Sequence, residues 1–455
     1  MKRITGLAAC LALTSACGSG SAPGPAGGGA GQPSAGTPTN VAGSSASGGN
    51  APSGGAGSAG VTGGAGAAAS SAGGMGGSAG GVGGSAGGVG GSAGKGNAGA
   101  GGGVVLPPAT GAPGVWEDVT SKDMDPALFT GPGGFGVGNI VTDPARPTDM
   151  YVGGYGSIWK STDYGLSWAK LDSKPNPPYL ALGHVLAVAG TTPATLWMAN
   201  VIGAQHVFKS TDGGLTFTLT GSIAEQPDAA SLYSIVVDPN DATHLLSGLH
   251  EQDKVLESKD GGASWQFVSG TGWPPGGKSW FPYFVDAGDA AKTSKTWIAI
   301  GQDGGSAVMT VDAGATWSKP KGLEGLQHPH GDTGFLQDAA AMFIAGVGGP
   351  EGDGVYRSTD AGANWARVAM GSGGVVWGTP KNLYVMWGWA CASCGTNEGG
   401  PQYQTAPQPG TAWMKGTVPA GLVWGPNSVA VTSDGTHSIM VGSMWATGLW
   451  RYVEP

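Results

Sequence analysis

The chain has 455 residues, a formal charge of −9 and 91 glycines. It contains no basic stripe or polybasic run, which argues against nucleic acid as a partner. Beyond the N-terminus no apolar run is long enough to span a bilayer, so membrane contact is expected only through an N-terminal lipid anchor.

Residues 1–17 open with Lys2 and Arg3, continue through a short apolar stretch and end Leu13-Thr14-Ser15-Ala16-Cys17. This order reads as an export signal. It resembles the lipobox of bacterial lipoproteins, which implies lipidation of Cys17 and a cell-surface or periplasm-facing location. Plain cleavage and secretion is the alternative. Residues 18–113 are Gly, Ala and Ser with scattered Pro, and Gly-Gly-Ser-Ala-Gly-Gly-Val recurs between 76 and 94. So little apolar surface is available to bury that a disordered tether is expected.

Residues 114–455 carry an internal repeat. Ser161-Thr162-Asp163-Tyr164-Gly165-Leu166-Ser167-Trp168 recurs around Asp212, Asp260, Asp312 and Asp360, as Ser/Thr-x-Asp-x-Gly-x-x-Trp/Phe. The aromatics Trp168, Phe217, Trp265, Trp317 and Trp365 are spaced by 49, 48, 52 and 48 residues. A further decayed copy keeps Gly410 and Trp413 but has Gln408 at the Asp position. A period near 50 residues marks a repeat architecture of propeller type. In each copy the Asp and the Ser/Thr hydroxyl are expected to satisfy a tight turn. The Gly supplies positive φ, and the aromatic packs between sheets. The boxes therefore read as structural. Trp116 to Thr120 looks like the strand after a box, and Gly448 to Val453 like the strand before one. Hence the expectation is an all-β, single seven-bladed propeller of four-stranded blades, the first strand completing the last blade.

The pattern resembles the Asp-box superfamily, which includes sialidases, xyloglucanases, sortilin-type receptors and assembly-factor propellers. Sialidases hold a carboxylate with three Arg; this domain has only Arg146, Arg357, Arg367 and Arg451, and lacks the Arg-Ile-Pro signature. Gly133 to Val141 with Pro144 and Tyr151 resembles the opening of xyloglucanase propellers. That resemblance implies polysaccharide cleavage by paired carboxylates between two propellers. Here Val152-Gly153-Gly154-Tyr155 lacks the Asp expected after the Tyr, and one propeller is present.

Strand polarity sorts the loops onto two faces. Box turns share one face with the first-to-second-strand turns. The second-to-third-strand loops and the blade-joining loops share the other, are more varied, and are the expected seat of function. On that face His250, Glu251, Asp253, Tyr155 and His184 are candidate acid–base groups. Trp273, Trp280, Tyr283, Trp387, Trp389, Trp424 and Trp445 are candidate sugar platforms, with packing between loops as the alternative. Lys254 and Lys278 are candidate partners for a uronate carboxylate, as an eliminating lyase needs. His328 and His330 lie two apart and with Asp332 can hold a divalent metal, Ca or Zn; hydrogen-bonded loop His is the alternative, and no cofactor is required. Cys391 and Cys394 are expected to form a local disulfide in an exported domain. The functional expectation is a monomeric carbohydrate-active protein, cleaving a polysaccharide or oligosaccharide as hydrolase or lyase. The alternative is a non-catalytic glycan- or protein-binding propeller, an adhesin or assembly factor.

Overall fold

A computed structural model of the protein describes residues 106–124, 138–154, 157–173, 184–200, 207–221, 232–249, 252–268, 270–304, 307–328, 334–371, 374–388, 401–445 and 447–455. Seven antiparallel sheets form the blades of a β-propeller. In the first, β2 (Ile140–Thr142), β3 (Met150–Gly154), β4 (Ser157–Ser161) and β5 (Ala169–Lys170) pair in chain order from the inside outwards. The other blades repeat that plan. In the fourth, β14 (Lys278–Phe284), β15 (Trp297–Asp303) and β16 (Ala307–Thr310) are joined by a single bridge, Met309 to Ser318, where the outer strand would run. The seventh blade joins both ends of the domain: β1 (Trp116–Asp118) pairs with β27 (Gly448–Val453).

The repeat becomes a fold through one hydrogen-bonded turn. In the first box Ser161 Oγ accepts the N–H groups of Asp163 and Gly165 at 3.3 and 2.8 Å and donates to Asp163 Oδ1 at 2.7 Å. Asp163 Oδ1 then accepts the Ser167 N–H at 2.9 Å, and Oδ2 the Ser167 hydroxyl at 2.5 Å. The same bonds recur around Asp212, Asp260, Asp312 and Asp360, with Asn364 replacing the hydroxyl in the fifth box. For Asp360 the Asn364 amide, the Asn364 N–H and the Ser358 hydroxyl hold the carboxyl down at about 2. Hydrogen bonds to the ionised form have this effect.

Two turn residues are left-handed, not the Gly alone. Tyr164, Ala313 and Ala361 have φ of 59°, 58° and 56°, each just before the box Gly. The Trp then turns inward: Trp168, Trp365 and, in the decayed copy, Trp413 each donate the indole N–H to the box Gly carbonyl. Their rings enter the apolar layers between blades, where Val, Ile, Leu and Trp from neighbouring sheets are buried. Each such aliphatic side chain contributes about 1.5–3 kcal/mol.

Boxes also receive the linker from the preceding blade. Thr271 N–H donates to Ala315 O and Trp317 N–H to Thr271 O. Lys321 makes the same pair of bonds with Ala363 and Trp365 one blade later. Gly272 and Gly322, both at φ +88°, lie so close to the Trp317 and Trp365 carbonyls that a Cβ would collide with backbone.

The last blade has no box, because its third and outer strands belong to opposite ends of the domain. Residues 106–115 cover that place. Tyr164 Oη donates to Pro107 O at 2.7 Å, Ala109 N–H to Asp434 Oδ2 at 2.8 Å, and Gly114 N–H to Val453 O at 2.8 Å. Beneath them lies Arg451, 1% exposed, its Nε–H bonded to Tyr164 O and its Nη1 3.8 Å from Glu117. The expected boundary at 114 therefore shifts: residues 106–113 are bonded to the propeller and not to be counted with the tether. We predict that a chain starting at 114 is less stable than one starting at 106 by about 2 kcal/mol, near the worth of two hydrogen bonds. Urea midpoints of the two would show it, and equal midpoints would refute the strap's role.

Candidate functional site

On the loop face, Asp253 and Lys254 lie between β11 (Asp241–Leu249) and β12 (Val255–Ser258). Trp273 lies in the connection from β13 (Gln266–Val268) to β14. The two connections meet where the third blade abuts the fourth: Ser279 N–H donates to Gln252 O at 3.2 Å. Backbones come close there, since a Cβ on Gly248 would run into the Trp280 carbonyl. Ser279 is buried and left-handed, with φ of 54°. Non-glycine residues seldom adopt that conformation, and it concentrates at functional sites.

Asp253 Oδ1 accepts two indole N–H groups, from Trp273 at 2.7 Å and Trp280 at 3.0 Å. The Trp273 ring is half-buried and lies 4.6 Å from Trp280, tilted by 51°, and 4.9 Å from Trp317, edge-on at 77°. Neither neighbour stacks flat on it. Lys254 is half-buried and Lys278 exposed, and neither forms an ion pair among the described residues.

Four expected platforms are instead packing residues. Trp280 is wholly buried, and Tyr283, Trp387 and Trp445 are 4–5% exposed. Trp280 sits in the layer between the third and fourth blades. Trp387 lies against Gly371, where a Cβ would meet its ring. A ring enclosed on both faces offers none to a sugar. Trp424 is half-buried. It stands beside Gly425, whose N–H donates to Gly388 O and whose carbonyl accepts the Trp445 N–H. The Trp387 ring thus belongs to the layer between the fifth and sixth blades, while Trp424 and Trp445 lie where the sixth meets the seventh.

His328 is also drawn into packing. It is 1% exposed, stacked on Phe281 with centroids 3.7 Å apart, and its Nε2 is 2.6 Å from the Tyr283 hydroxyl. That nitrogen is committed to Tyr283, which disfavours it as a metal ligand. No group of three or more His, Cys, Asp or Glu suited to a metal occurs among the described residues. His184 is the first residue of β6 (His184–Ala189), paired with Asn200. Tyr155, His250, Glu251, His330, Asp332, Trp389, Cys391, Cys394 and Cys17 lie outside the described residues.

Sequence reasoning missed Gln252 and Ser279 at this junction, and nothing in their local pattern singles them out. It also passed over His244, which lies on the box side. His244 is buried, with Nδ1 3.0 Å from Asp238 and Nε2 3.0 Å from Glu257; Glu257 also pairs with Lys259 at 3.1 Å. Burial pulls its pKa down, but the hydrogen bonds to Asp238 and Glu257 outweigh that and raise it to about 9.

No protein-family model matches the chain. A xyloglucanase from a Paenibacillus species is 27% identical over 217 residues, 47% of this chain and 19% of that enzyme. Xyloglucanase Xgh74A of Acetivibrio thermocellus is 27% identical over 154 residues, 29% of this chain and 18% of its own length. The aligned part thus spans about a fifth of these curated relatives. Among solved structures, the GH74 enzyme of Niastella koreensis superposes with a TM-score of 0.51 at 17% identity, covering 75% of this chain and 55% of that one. YCF48 bound to D1 peptide superposes at 0.50 and 12% identity, covering 77% of this chain and 100% of that one. Both are likenesses of fold.

The His244 network carries a pH prediction. A histidine whose pKa is higher folded than unfolded stabilises the fold while protonated. That contribution is whole below the unfolded value of about 6.5 and is lost as pH rises through about 9. Melting temperatures should therefore fall between about pH 7 and 10 more steeply in the wild type than in His244→Gln. Parallel curves would refute the assignment.

Proposed function

We propose that this protein acts on a polysaccharide with the propeller face opposite the boxes, as an exported glycan-cleaving enzyme. The observation that carries the reading is the junction of the third and fourth blades, where a carboxylate, a half-buried indole and two lysine-bearing segments, the lysines without ion pairs among the described residues, come together. The similarity to xyloglucanases supports the substrate class. Flat apolar ring faces suit sugars, and charged side chains beside them suit hydroxyl and carboxylate groups. Asp253 is the described carboxylate of the site. His250, Glu251 and Tyr155 belong to loops of the same face by strand polarity, and His184 opens an inner strand at it. These supply the acid and base that glycosidic cleavage needs, as paired carboxylates for hydrolysis or as a His or Tyr base for elimination. The N-terminal signal and Cys17 support export and lipid anchoring, and a Cys391–Cys394 disulfide fits that compartment.

A second reading, a non-catalytic glycan-binding propeller, is favoured by one specific observation. Asp253 Oδ1 is already engaged by two indole N–H groups, which suits a structural carboxylate better than a proton shuttle.

The deciding experiment incubates the full chain with neutral and uronate polysaccharides while following reducing ends and the ultraviolet absorbance of unsaturated uronate. Reducing ends alone mean a hydrolase; both signals together mean a lyase. Retention on a polysaccharide gel without either signal would establish the binding reading and overturn the enzyme.

A further inference from the structure

We infer that the junction of the third and fourth blades is a subsite for an acidic sugar, a uronate-bearing residue of a glycan, in which Asp253 is a positioning residue. The inference rests on the glycan reading and names its substrate class.

An ionised Asp beside an anionic ligand would repel it unless its charge were directed elsewhere. Both indole N–H bonds fall on Asp253 Oδ1, at 2.7 and 3.0 Å, so the charge is drawn toward the two tryptophans. Trp280 is wholly buried and fixed between blades. Asp253 therefore ties Trp273 to an immobile neighbour and sets the angle of its ring. Among the described residues, the rings that touch Trp273 meet it tilted or edge-on, which leaves it area for a sugar face.

The two lysines come from the same junction. Lys254 follows Asp253 directly, and Lys278 precedes Ser279, whose N–H is bonded to Gln252 O. That bond brings the two lysine-bearing backbones together, one from each blade. The left-handed Ser279 lies inside β14, whose pairing with β15 keeps one register across it, Lys278 with Asp303 and Trp280 with Gly301. Strained backbone kept at such a place is consistent with positioning a neighbouring group. Two lysines without ion pairs among the described residues, on segments that meet beside Trp273, suit a ligand that joins a carboxylate to an apolar ring face.

The test measures affinity of the full chain for oligogalacturonate and for neutral xyloglucan oligosaccharide by calorimetry, at low and high salt. Binding of the uronate oligosaccharide should exceed that of the neutral one and weaken with salt, since ion pairs at exposed sites are screened. Lys254→Gln and Lys278→Gln should each weaken it about tenfold, the order expected for a hydrogen bond to a charged group. Trp273→Ala should abolish it. Asp253→Asn should weaken both ligands and alter the tryptophan fluorescence of the unliganded protein, a readout of ring position that a direct ligand contact would leave unmoved. Neutral binding equal to or tighter than uronate binding would overturn the acidic subsite while leaving the glycan reading intact. Loss of binding for neither lysine variant would overturn it as well. If neither glycan bound, the glycan reading and this inference would fall together.

Discussion

One hydrogen-bonded turn underlies the rest of the structure. A Ser or Thr hydroxyl and an Asp carboxylate close a hairpin whose tip needs two consecutive left-handed residues. The bonds satisfy backbone N–H groups that a bare turn would leave to water, and the carboxylate is held ionised by them. Their geometric result is larger than their energy. The turn aims an aromatic into the layer between blades and, in the fourth and fifth blades, presents carbonyls that the incoming linker binds. The same few residues thus close the hairpin, fill the interface and register one blade against the next. Repetition of a unit that contacts only its neighbours then builds the ring.

The two faces divide the work. The box face is occupied by structure: the turns themselves, the strap from 106 to 115 over Arg451, and the buried charges around His244. Residues there are tied to backbone and to one another, and a substitution is felt in folding. On the other face, the blade-joining linkers at Thr271 and Lys321 are tied to box turns, and the loops between second and third strands carry less of that burden. The Asp253 junction lies on that face, where two rigid blades supply a fixed frame for a few side chains.

The fold was legible because the signal repeats. Five copies of the box, a sixth decayed copy, and matching strands at the two ends defined seven blades and their closure. What escaped notice was also repeated in part: Ser167, Thr216, Ser264, Thr316 and Asn364 stand at the same box position and bind the Asp, and an alignment of the copies displays them. The strap was hidden by its composition, because Leu106 to Pro113 reads as a continuation of the Gly- and Ala-rich segment. The site was less legible. Face assignment follows from strand polarity, which put Asp253, Trp273, Lys254 and Lys278 on one face. Burial depends on what packs across from the next blade, which no local pattern records. For that reason the sequence left Trp280, Tyr283, Trp387 and Trp445 open between platform and packing residue, and His328 between metal ligand and hydrogen-bonded loop residue.

The most direct test of this account is hydrogen–deuterium exchange of the full chain with and without a saturating oligosaccharide. The account predicts slower exchange confined to residues 252–254 and 273–280, with the box turns around Asp163, Asp212, Asp260, Asp312 and Asp360 unchanged. Slowing at the box turns, or an even response over both faces, would contradict the division of the propeller into a structural face and a working one.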